Sequence, residues 1–313
     1  MAFSENPRLN DEEYQDYERT TICIPSLTQS WSLDAWKYIP AKTPGPYPVI
    51  VMAHSLSAKG SMGLETYAQA FVSLGYACVA FDYRHWGSSD GKPRHSIFVS
   101  EQLEDYRTVI EFCRQQSRFD SQRVILWGSS LSGGHVVLLA SERELNICAA
   151  IAQCPYLGIA VRPSLNVAGL KTVGYALLDV LKQAVGLAPV LIPAVAPYGE
   201  VAALPTSGPV QSMYKLVYDE GPYPKEITAS SLFEILFYRP NLSAKNVTCP
   251  VLIVALKQDE LFDIRGAVEV ARDAPNAQLV EFDGGHFDVY PGGRLYDQSL
   301  TAQMTFLLKQ VPI

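Results

Sequence analysis

Ser130 stands where the chain could hold a nucleophile, inside Val124-Ile-Leu-Trp-Gly-Ser-Ser-Leu-Ser-Gly-Gly-His-Val-Val-Leu-Leu-Ala140. That run reads as a buried strand, a turn of small residues and an apolar helix. A serine hydroxyl attacks a carbonyl only when a base takes its proton and the backbone holds it in place. A sharp strand-to-helix elbow does the holding, and it needs small residues two before, two after and three after the serine. For Ser130 these are Gly128, Ser132 and Gly133, with Ser132 standing where the usual pattern has glycine. Ser129 would put Trp127 at the tight position and is excluded. Ser132 remains an alternative nucleophile, and a purely structural glycine-rich turn remains a second alternative. Phosphate binding fits poorly, because no Lys-Ser/Thr follows and the dinucleotide glycine spacing is absent.

A base and an orienting acid follow in the order Ser, acid, His. His286 follows two glycines in Phe282-Asp-Gly-Gly-His-Phe-Asp-Val-Tyr290, after the last strand-like run. An imidazole there can take the serine proton and return it to a leaving group. The other histidines either precede the elbow (His54, His85, His95) or lie on its helix (His135). After the run 250–255 comes Leu256-Lys-Gln-Asp259-Glu-Leu-Phe-Asp263, where a carboxylate can fix the imidazole tautomer. Asp259 is first in line, with Asp263 and Glu260 as alternatives; Asp263 also fits a helix N-cap. Two backbone N–H groups must hold the developing oxyanion. One is expected from Leu131 and the other from Leu56, with Ser55 as second choice, in Ala53-His-Ser-Leu-Ser57.

The surrounding pattern must carry these loops. Of 313 residues, 48% are hydrophobic and 18% charged, as in an ordinary globular protein with a sizeable core. The net charge of −7 and the lack of basic clusters exclude a nucleic-acid surface. The six cysteines are widely spaced without metal-ligand pattern, and they read as free thiols in a reducing compartment. No apolar signal core and no membrane-spanning run is present, so a cytoplasmic protein is expected. No cofactor or metal is expected, and oligomeric state is left open. Residues 1–20 form a polar arm, and strand-like runs 21–25 and 33–39 suggest an antiparallel edge pair. Strands at 49–53, 77–81, 123–127 and 147–153 then alternate with helices over about 62–74, 100–116 and 131–141. That alternation predicts a mostly parallel sheet with helices on both faces. Residues 159–247 break the rhythm, with prolines at 189, 193, 197 and 205, and are expected to form a mainly helical cap. Strand 250–255, helix 264–273, strand 278–282 and a closing helix near 293–309 resume the pattern, so the core comprises 21–158 and 248–313.

The assembled residues resemble the α/β-hydrolase superfamily over about 20–158 and 248–311. Phe81-Asp-Tyr-Arg-His-Trp-Gly-Ser-Ser-Asp-Gly-Lys-Pro-Arg94 resembles that family's loop after the fourth strand, with Asp82 and Arg84 in structural roles. More narrowly, Gly128-Ser-Ser-Leu-Ser-Gly-Gly-His-Val136, Ala152-Gln-Cys-Pro155 and Gly284-Gly-His-Phe-Asp-Val-Tyr290 resemble a branch related to dienelactone hydrolases. That branch includes fungal polyketide transferases and thiohydrolases of secondary metabolism. The resemblance implies an α/β-hydrolase fold and an acyl-enzyme reaction on an ester or thioester. A polyketide-type, hydrophobic small-molecule or carrier-bound acyl substrate would then be the partner. Apolar residues Val167, Leu170, Val173, Tyr175, Leu177 and Leu178 in the cap would suit such a chain, or simply pack. Acyl transfer to an alcohol or amine, lyase or cyclase chemistry, and ligand binding on the same fold stay open as alternatives.

Overall fold

Apolar runs without polar alternation become the inner strands of one eight-stranded sheet, as expected where both faces of a parallel sheet are covered. The computed structural model describes residues 17–42, 44–55, 63–158, 166–207 and 225–313. β1 (Tyr17–Pro25) and β2 (Ser32–Pro40) form the antiparallel edge pair, with β2 also antiparallel to β4 (Ala77–Phe81). From β4 inward the sheet is parallel, through β3 (Tyr47–Ala53), β5 (Phe119–Ser129), β6 (Ala149–Gln153), β11 (Val251–Leu256) and β12 (Ala277–Phe282). Every residue of β3, β4, β6 and β11 is buried.

Neighbouring residues of a strand point to opposite faces, and β5 shows what covers each. The Trp127 indole donates to Gln303 on α7 (Tyr296–Gln310) and lies 4.9 Å from the Tyr67 ring of α1 (Leu64–Ser73). On the other side Gly128 faces α3 (Leu131–Ala140), whose Val136 side chain a Cβ at 128 would touch. α2 (Val99–Arg114) packs on β5 and β3, and α6 (Arg265–Asp273) follows β11.

The register brings the reactive loops to one edge. Ala53 of β3 pairs with Gly128, and Ser129 pairs with Gln153 of β6. Val254 of β11 pairs with Gln153, and Leu256 pairs with Phe282 of β12. The segments after β3, β5, β6, β11 and β12 therefore all leave the carboxyl edge of the sheet, where open α/β sheets carry their sites.

Between β6 and β11 the described residues form α4 (Val167–Ala184), α5 (Ser231–Phe237), a 3-10 turn at Pro240–Asn246 and four three-residue strands. β7 (Leu191–Pro193) pairs antiparallel with β10 (Glu226–Thr228), and β8 (Val195–Pro197) pairs parallel with β9 (Leu204–Thr206). Strands this short leave no periodicity to read in a sequence. This segment is tied to the core by the Thr228 amide on His95 O, the Ile97 amide on Ser231 Oγ, and the Val99 amide on Glu234. Among the described residues, no helix is long and apolar enough to cross a membrane.

Candidate active site

Ser130 occupies the elbow at φ 58°, ψ −119°, a backbone region L-residues avoid unless their surroundings impose it. Those surroundings are visible. The Ser130 amide donates to Gln153 O (2.9 Å), and the Tyr156 amide donates to Ser130 O (2.8 Å). A Cβ on Gly128 would lie 2.4 Å from Ser132 O, and one on Gly134 would lie 2.3 Å from Tyr156 O. Gly133 lies close against Pro155. Small residues let backbones approach here, and that close approach holds the serine at the top of β5. Leu131 is the first residue of α3, so its N–H has no carbonyl of its own helix to bond and can serve an oxyanion.

Serine at position 132 adds a hydroxyl where glycine is usual, and that hydroxyl is engaged on both sides. It bonds to the carbonyl of His54, and the Tyr83 hydroxyl lies 2.7 Å away. The bridge joins α3 to the end of the segment that opens the expected oxyanion loop. A hydroxyl so occupied, inside the first turn of a helix, is a poor rival to Ser130. Leu56 lies outside the described residues; Ser55 is half-buried, and its carbonyl is 2.8 Å from His54 Nδ1.

Asp259 and His286 are brought together. The carboxylate Oδ2 of Asp259 is 2.8 Å from His286 Nδ1, and Oδ1 accepts from the amides of Leu261 (2.8 Å) and Phe262 (2.9 Å). One oxygen fixes the acid and the other fixes the ring. Glu260 acts on the backbone instead, accepting the His286 amide at 2.9 Å. Asp263, two residues before Arg265, accepts the Arg265 amide and pairs with the exposed Arg265 side chain. The imidazole is 1% exposed and lies among Phe262, Phe287 and Tyr290. Burial works against its charged form, yet the Asp259 carboxylate, with Cys154 adding, outweighs burial and raises its pKa well above that of an ordinary imidazole.

The other nitrogen of that ring has a neighbour that no motif in the sequence marks. Cys154 Sγ lies 3.8 Å from His286 Nε2. Cys154 follows β6 directly, at φ 37°, and its thiol is backed by Ser129 Oγ (3.6 Å) and the Tyr290 hydroxyl (3.6 Å). The only signal in the sequence was its place in Ala152-Gln-Cys-Pro155, one strand over from the elbow. The wall near the elbow is built as expected: Arg84 donates to Asp105 (2.7 Å) and Thr28 (3.0 Å), and the Asp82 carboxylate receives the Ser88 amide. His54, buried beside Asp82 at 3.6 Å, has its pKa lowered by burial.

α4 buries Ala168, Thr172, Ala176 and Asp179, while Val167, Leu170, Val173, Tyr175, Leu177 and Leu178 are exposed.

With this fold and these residues in view, comparison defines the class. Residues 44–289 match the family model described as serine aminopeptidase, S33, and the chain belongs to that family of α/β-hydrolases. The quorum-quenching protein AidA of Acinetobacter baumannii (strain MDR-ZJ06) is 32% identical over 268 residues, covering 85% of this chain and 88% of that protein. The thiohydrolase apmlB of Arthrinium phaeospermum is 28% identical over 278 residues, 84% of this chain and 89% of its own. Among solved structures, the α/β-hydrolase GrgF from Penicillium sp. sh18 superposes with a TM-score of 0.79 at 20% identity, over 95% of this chain and 100% of that one. The chain is therefore an enzyme of the α/β-hydrolase fold.

Proposed function

We propose that the chain cleaves an ester or thioester of a hydrophobic acyl group, of polyketide type, through an acyl-enzyme on Ser130. Ser130 Oγ attacks the acyl carbonyl carbon while its proton passes to His286 Nε2. The oxyanion is held by the Leu131 N–H and by an N–H of the loop after β3, from Leu56 or Ser55. The C–S or C–O bond then breaks as Nε2 returns the proton to the leaving group. Water, or a bound alcohol or amine, attacks the acyl-serine by the same steps in reverse. Asp259 holds the ring so that Nε2 faces the reacting atoms and stabilises the imidazolium. Ser130 Oγ must share Nε2 with the Cys154 thiol, and a serine side chain turns about a single bond to do so. The segment between β6 and β11 acts as the cap over this edge, while residues 17–20, expected in a polar arm, belong to β1 of the core.

The observation that carries the reading is the 2.8 Å contact of Asp259 with His286 on the same sheet edge as the strained Ser130 elbow. Support for a thioester comes from the relative named a thiohydrolase. Burial of both Ser130 and His286 suits chemistry shielded from bulk solvent, and transfer to a bound alcohol or amine is the alternative to hydrolysis at the same site. The test is turnover of a series of acyl thioesters and esters of increasing chain length, with and without alcohol and amine acceptors. Release of thiol or alcohol by the wild type and none by Ser130→Ala is expected. Equal release by both would overturn the reading. Ester product in the presence of an alcohol assigns transfer, and free acid alone assigns hydrolysis.

A further inference from the structure

α4 is turned inside out. Its buried stripe, Ala168, Thr172, Ala176 and Asp179, recurs at helical spacing and is small or polar. Asp179 anchors it by accepting the amides of Val190 (2.7 Å) and Ser230 (2.8 Å). At 100° per residue the opposite side of the helix carries Val167, Leu170, Val173, Leu177, Leu178, Leu181 and Val185. All are exposed, Leu170 at 72%, Leu181 at 67% and Val185 at 71%. A surface helix ordinarily turns such a face to its own core. Here the buried stripe packs on α5 and on the chain at Val190 and Ser230, and the apolar face lies on the other side of the helix from that packing.

We propose that this face is the contact between two copies of the chain. Seven large side chains presenting roughly 100 Å² each give on the order of 700 Å², more than a monomer usually leaves to water. A stable interface covers about 600–1,000 Å² on each partner, so the patch is large enough. It is also self-complementary. Gly174 sits near the middle of the stripe, and a Cβ there would meet nothing within 4 Å. Glycine in mid-helix is unfavourable unless something must approach closely. A two-fold axis at Gly174 runs the two helices antiparallel, setting Leu170 against Leu178 and Val167 against Leu181 of the other copy. Closed pairing of one patch with itself is the commonest form of oligomer. A lipid surface fits less well, because interfacial helices carry a Lys/Arg-rich polar face and α4 has only Lys171 and Lys182, in a chain of net charge −7.

Sedimentation velocity of the full chain at micromolar concentration tests this. The expected species has twice the 34.5 kDa mass of the chain. Leu170→Lys with Leu178→Lys is expected to give the single-chain mass, with unchanged circular dichroism. In a Cys23→Ser background, which removes the exposed thiol, Gly174→Cys is expected to form a linked dimer with diamide that dithiothreitol reverses. A wild type at the single-chain mass overturns the proposal, as does a dimer that survives both lysines or a Gly174→Cys variant that does not cross-link. Binding of a single-chain species to phosphatidylcholine vesicles overturns it in favour of lipid.

Discussion

α3 and α4 are both apolar helices with glycines inside them, and they face opposite ways. α3 buries all its residues but Leu138, and its glycines are where they are because neighbouring backbone leaves no room for a Cβ. α4 buries only a narrow stripe, and the space beside its Gly174 is empty. Composition alone puts both in a core. What separates them is contact: α3 is wedged between β5, β6 and the turn at Pro240–Asn246, while α4 is anchored through Asp179 by its polar side. The first arrangement holds Ser130 in a strained elbow and the second leaves an apolar surface.

Substitutions at the elbow should have the largest effects. Ser130→Ala is expected to lower kcat by about 10⁶-fold with little change in thermal melting, measured on whichever thioester the wild type turns over best. Asp259→Asn should cost about 10⁴-fold in kcat/KM, whereas Asp263→Asn, at an exposed Arg265 pair, should leave kcat/KM nearly unchanged. The pH profile sharpens the same point. His286 must be neutral to accept the serine proton, and its pKa is raised chiefly by Asp259 against the effect of burial. Activity should therefore fall away as pH drops from above the ordinary imidazole range, and Asp259→Asn should move that limb to lower pH. The stability from the charged pair runs the other way, present below the unfolded imidazole's pKa and lost as pH rises through the folded one.

The two helices then diverge under one substitution. Gly134→Ala in α3 drives a Cβ to 2.3 Å from the Tyr156 carbonyl oxygen and should destabilise the fold by about 3 kcal/mol or more, seen as a lowered urea midpoint. Ser132→Ala leaves the Tyr83 hydroxyl and the His54 carbonyl without their bridge. It should cost about 1–3 kcal/mol, together with a loss in kcat larger than any change in KM if the bridge positions the oxyanion loop. Gly174→Ala is the mildest. In α4 it should raise helix stability by about 0.5–1 kcal/mol, read from thermal melting in the Leu170→Lys, Leu178→Lys background.

The same contrast explains what could be read in advance. The elbow was legible because its requirement for small residues is local, and the parallel sheet because unbroken apolar runs alternate with helical periodicity. Asp259 and His286 followed from order along the chain and from loops that leave β11 and β12. Cys154 was not legible: its place beside Nε2 depends on the register of Ser129 with Gln153, which no local pattern encodes. Nor was the hydroxyl bridge of Ser132, which needs Tyr83 from another strand's loop. α4 shows apolar residues at every helical phase, and its inward side was chosen by the amides that Asp179 accepts.

The central claim is that Ser130 is the residue acylated. Treating the folded chain with a fluorophosphonate and locating the adduct by peptide mass spectrometry measures it directly. One adduct on Ser130, absent in Ser130→Ala, is the expected result. An adduct on Ser132 or Cys154, or none on folded protein that still turns over thioesters, would contradict it.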